Sequence, residues 1–189
     1  PWFLNFQIGE DQYNIQFKYE NHQTHSFEYQ GKTYTLVFGP LRDQEAITIF
    51  DGWFGMDTDS PGQDMAVAVY KNFGDSDNQQ PAPAEIQQLI TSVTLSVTDD
   101  DNGCMTVQAA EQQAGGWWKG KAVVSGNNKA GDGYITAEIT INGEKVVMKA
   151  VGRVSVAETL DKTHTASGSP AENMESLQAM LDKMDLQGK

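Results

Sequence analysis

The sequence predicts a mainly β fold: an antiparallel sheet, sandwich or barrel-like, with one short internal helix and an amphipathic helix at the C-terminus. Three observations predict it. Apolar and polar residues alternate at period two along most of the chain. Turn signals interrupt that alternation at short intervals. Helical spacing is confined to two stretches, one near residue 86 and one over 170–186. An α+β arrangement is the second choice.

The elements follow in order. Tyr13, Ile15, Phe17 and Tyr19 alternate with polar residues and predict a strand over 12–19. Residues 26–30 and 33–38 predict a hairpin about Gln30-Gly31. Gly39-Pro40 is expected to end that run, since proline cannot donate to a ladder. Ile47 to Phe50 and Met65 to Tyr70 are further strand candidates, separated by an Asp/Gly-rich loop over 51–64. Residues 74–82 read as a linker. A short helix is expected next, with Pro83 at its start and Ile86, Leu89, Ile90 and Val93 on one face. Thr94–Thr98 is extended again. Asp99-Asp100-Asp101-Asn102-Gly103 turns the chain into a partner strand at 104–109, and 117–125 supplies another strand.

Asn142-Gly143 is the preferred dipeptide of a two-residue type I′ hairpin turn. The register it sets pairs Ile141 with Glu144, Ile139 with Val146, Ala137 with Met148 and Ile135 with Ala150. Three of those four pairs are apolar on both sides and share one face, so a one-residue slip would scramble both faces. Ser169-Pro170-Ala171-Glu172 forms a capping box, and Met174, Leu177, Leu181 and Met184 follow at helical spacing. That helix is expected to cover a sheet face or edge.

A chain of 189 residues fits one domain. Two β-rich halves, 1–73 and 94–157, joined by the linker and short helix at 74–93, are the alternative organisation. Eighteen aromatic residues (four Trp, six Tyr, eight Phe) argue for a packed core.

The charge is lopsided. With 26 acidic and 13 basic residues the formal net charge is −13. Residues 1–94 carry 13 acids and four bases, a net of −9, and the rest 13 and nine, a net of −4. This field repels the phosphate backbone, so no nucleic acid is expected as partner, and it disfavours an anionic membrane surface. Basic proteins and cations are what it attracts. No run of apolar residues is long enough for a membrane span. The chain opens on Pro1 rather than Met. With a polar composition poor in Lys, that leads us to expect removal of a leader or trimming, and a secreted or periplasmic location.

Candidate chemistry is sparse. Asp57, Asp59 and Asp64 lie in a Gly/Pro loop and could offer oxygens to calcium, but Pro61 and Ala68 stand where an EF-hand needs ligands. The other reading is a solvated turn. The same two readings apply to Asp99–Asp101. His22 and His25 form the one close His pair, without the spacing of a helical zinc motif. Cys104 is the single cysteine, expected as a packed thiol. Nucleotide-binding loops and a nucleophile elbow are absent. The aromatics point further: Gly52-Trp53-Phe54-Gly55 and Gly115-Gly116-Trp117-Trp118 set neighbouring rings on opposite faces, so Trp53 and one of Trp117 and Trp118 are expected outside as binding anchors.

The expected function is therefore a non-catalytic exported protein that binds a protein partner, a basic one by charge, in the manner of an inhibitor or immunity protein. A carbohydrate-binding or carbohydrate-active protein, and a calcium-stabilised structural or adhesion module, are the alternatives. No cofactor is expected apart from that calcium.

Overall fold

The structure, a computed structural model, describes residues 2–17, 23–156 and 181–182. Its strands are β1 (Trp2–Ile8), β2 (Asp11–Phe17), β3 (Thr24–Tyr29), β4 (Lys32–Asp43), β5 (Thr48–Ile49), β6 (Phe54–Met56) and β7 (Gly62–Lys71). They continue with β8 (Gln80–Pro81), β9 (Ile90–Thr98), β10 (Met105–Gln112), β11 (Trp118–Val124), β12 (Gly131–Ile141) and β13 (Glu144–Val154). A short helix, α1, spans Ala84–Gln87.

Two sheets face one another. The first runs β10-β11-β7-β4-β3, with β5 added to β4 and β8 to β7. The second runs β6-β13-β12-β9. All pairings are antiparallel except β6–β13, which is parallel over three residues. Both sheets mix strands from 1–73 with strands from 94–157.

The main core lies between the sheets. Leu36, Phe38, Met65, Val67 and Val69 come from the first, and Ile135, Ala137, Ile139, Val146, Met148 and Ala150 from the second. These are alternate positions on each strand, as one buried face requires. A second, smaller cluster covers the outer face of the first sheet: Val37, Leu41, Ala66, Ala68, Tyr70 and Trp117, with Ile47, Ile49 and Phe73 against it. β4 and β7 are thus buried on both faces, which explains their near-continuous apolar runs.

The β12–β13 hairpin has the register that Asn142-Gly143 predicts, from Ile141↔Glu144 outward. Asn142 (φ 49°) and Gly143 (φ 79°) both take the positive angles of a type I′ turn.

Several expectations are corrected. Gly39-Pro40 does not end β4, which continues to Asp43. The Pro40 carbonyl accepts from the Phe50 N–H, so its ring nitrogen points to the same side, past the end of β3, and the pairing with β7 on the other side continues through Met65. β1 was not foreseen: Trp2, Leu4, Phe6 and Ile8 alternate, but Phe3 masks the period. It pairs with β2 in a separate two-stranded sheet. The expected 51–64 loop contains β6, and the expected linker contains β8, which pairs with β7. The helix stops at Gln87, because the stretch from Ile90 to Thr94, β-branched except at Ser92, instead pairs with β12. The C-terminal helix expected over 170–186 lies outside the described residues, except for Leu181 and Asp182.

Candidate functional site

The site is built on a pair of glycines. Gly133 and Gly152 face each other across the β12–β13 ladder, on the core side. A Cβ on Gly152 would come within 3.1 Å of the Phe54 ring, and one on Gly133 within 3.3 Å of the Met105 side chain. The missing side chains leave a socket that seats Phe54 and Met105. Seating Phe54 brings β6 alongside β13, with Phe54 opposite Gly152 and Gly55 opposite Arg153. Seating Met105 draws in the turn from Asp99 to Cys104.

With Phe54 turned inward, its neighbour Trp53 stays outside. Trp53 is 41% exposed, one of the few large apolar side chains at the surface among the described residues. Its ring rests on Gly55, 3.7 Å from where a Cβ would stand. The Arg153 guanidinium lies 5.0 Å from the ring centroid, a cation–π contact. Arg153 also donates from Nε to Asp132 Oδ1 at 2.8 Å and from a terminal nitrogen to Oδ2 at 3.3 Å. Trp53, just before β6, therefore forms a row with Arg153 on β13 and Asp132 on β12. Arg153 is exposed and Asp132 half-buried, so their pair and the ring contact each contribute about 1 kcal/mol or less.

Main-chain bonds tie the surrounding loops together. Val124 N–H donates to the Pro61 carbonyl, Ser125 N–H to Cys104 and Ser155 N–H to Met56. Asn127 donates to the carbonyls of Asn102 and Gly103, and Asn102 donates back to Ala130. One end of the sandwich thus gathers the segments that carry Asp51, Asp57, Asp59, Asp99, Asp101 and Asp132. Lys129 and Arg153 are the cations on those segments.

The acids have structural roles as well. Asp57 Oδ1 accepts from the backbone N–H of Asp59 at 2.8 Å and of Ser60 at 2.7 Å, an Asx turn. Asp64 instead faces Gln44 and Lys121, the latter 3.9 Å away, on the outer face of the first sheet. The structure therefore does not bring Asp57, Asp59 and Asp64 together. Among the described residues no three His, Cys, Asp or Glu side chains are grouped as a metal ion would require. Asp100 Oδ1 accepts from the backbone N–H and the thiol of Cys104, both at 3.0 Å. Burial, and the hydrogen bond to Asp100 after it, push the Cys104 thiol up to about 12, so it stays protonated. His25 Nε2 lies 3.6 Å from the Glu144 carboxylate, while His22 lies outside the described residues.

The expectation that one of the other two candidate tryptophans stands outside is corrected. Trp117 is only 8% exposed and packs in the outer-face cluster with Ala66, Ala68 and Tyr70. Trp118 is half-buried against the main core, and its indole N–H donates to the Ile90 carbonyl at 3.4 Å. The reason is that the first sheet is covered on both faces, so adjacent rings on opposite faces both find cover. Asp132 and Arg153 were missed, although their pairing follows from the Asn142-Gly143 register carried to the strand ends. Nothing local announces that Trp53 meets them, because that contact depends on the parallel β6–β13 pairing. Comparisons with known protein families, with curated proteins and with solved structures found no match for this chain.

Proposed function

We propose that this is an exported, non-catalytic binding protein whose acidic loop end captures a basic protein partner. Export rests on composition alone. The binding reading rests on one observation: an exposed tryptophan, backed by a charged row, stands among aspartates at the end where the loops converge. Trp and Arg are the side chains that most often dominate interfaces, especially where surrounding groups exclude water. The aspartates supply the long-range field that speeds encounter with a cationic surface. Loops on a rigid β scaffold are the usual carriers of such sites.

The test uses lysozyme as a strongly basic probe. Its Kd should rise about tenfold between 0.02 and 0.2 M salt, through slower association. Trp53→Ala should weaken binding about tenfold more, as loss of an interface anchor does. Binding that ignores both salt and Trp53→Ala would overturn the proposal.

A further inference from the structure

We infer that Arg153 holds the seat of a partner's arginine, so that the Trp53–Asp132 row is a guanidinium-binding site occupied from within. This rests on the basic-partner reading and names the group that the partner inserts. A guanidinium is recognised by a planar aromatic face on one side and a carboxylate that takes two parallel N–H bonds on the other. Trp53 and Asp132 provide both, and Arg153 satisfies both at 5.0, 2.8 and 3.3 Å. The exposed face of Trp53 and the half-buried Asp132 leave the seat reachable from solvent. An incoming arginine replaces like with like: it forms the same ring contact and the same two-pronged carboxylate bond, while Arg153 swings out on its long side chain into water. Ammonium groups cannot do this equally well, because they lack the planar fork. The site therefore favours arginine over lysine in the partner.

The experiment measures affinity for fluorescein-labelled hexa-arginine and hexalysine peptides by anisotropy at low salt. Arg153→Met should empty the seat and tighten hexa-arginine about fivefold. Lys145→Met removes the same charge from the same strand, away from the seat, and should change affinity less than about twofold. Arg153→Lys keeps the charge without the fork and should fall between wild type and Arg153→Met. Wild type and Arg153→Met should both prefer hexa-arginine to hexalysine, and circular dichroism confirms that each variant is folded. If Arg153→Met binds no tighter than Lys145→Met, or more weakly than wild type, Arg153 is a support for Trp53 and the inference falls while the basic-partner reading stands. If neither peptide binds any of the proteins in a salt-sensitive way, both readings fall.

Discussion

Gln87 does with a side chain what a neighbouring strand does with its backbone. β11 pairs with β7 only as far as Val67. Beyond it, the Gln87 amide accepts from the Val69 N–H at 2.7 Å and donates to the Val69 carbonyl at 2.8 Å and the Ala82 carbonyl at 3.0 Å. Gln87 is almost wholly buried. Replacing it with alanine leaves these backbone groups without that partner in a site closed to water. Gln87→Ala should therefore lower stability by about 2 kcal/mol, read as a shift in the urea midpoint at constant slope. No local pattern announces this role. A glutamine beside Ile86 and Leu89 reads as the polar face of a helix, and only the tertiary position of Val69 turns it inward. Asp100 is similar: three adjacent acids suggest a solvated turn, and one of them proves to hold the Cys104 and Met105 backbone instead.

Among the elements, the β12–β13 hairpin was the most legible, because two constraints agreed. The turn dipeptide fixed the register, and the apolar pairs confirmed it on one face. The turn is also a point of sensitivity. Gly143 sits at φ 79°, where a β-branched side chain is strained. Gly143→Val should cost about 1–2 kcal/mol in a thermal or urea melt, without changing the register that the flanking core pairs impose. The elements that were misread share a physical cause. β6 and β8 are too short for any period to show, and β9 has an apolar spacing compatible with either helix or strand until β12 is present to pair with it. The expected exposure of one of Trp117 and Trp118 fails because two-faced burial of β7 and β4 erases the alternation from which exposure is inferred.

For the whole molecule, two buried and unusually weak acids set an alkaline limit. Burial pushes Tyr70 from 10.0 to about 12 and Cys104 from 9.0 to about 12. Both folded values lie above the unfolded ones, so the folded state holds these protons more tightly. Their stabilisation is complete below pH 9 and is lost as pH climbs towards 12. The urea midpoint should thus fall progressively between about pH 9 and 11, and Tyr70→Phe should flatten the fall. A midpoint that stays level over that range would show that neither group is shielded as described. At this scale the sandwich class was readable from period-two patterning, but the candidate site was only half so. Trp53 and the surrounding aspartates stand out along the chain. Their convergence with Arg153 and Asp132 depends on the Gly133–Gly152 socket, which local pattern does not reveal.

Three of the latches that hold the loops together at that end run between main-chain groups: Val124 to Pro61, Ser125 to Cys104, Ser155 to Met56. Such latches are indifferent to the side chains carried above them. Positions 53 and 59 are therefore open to diversification at little cost to folding, and a library randomised there should yield variants retuned to partners of different shape or charge on an unchanged scaffold.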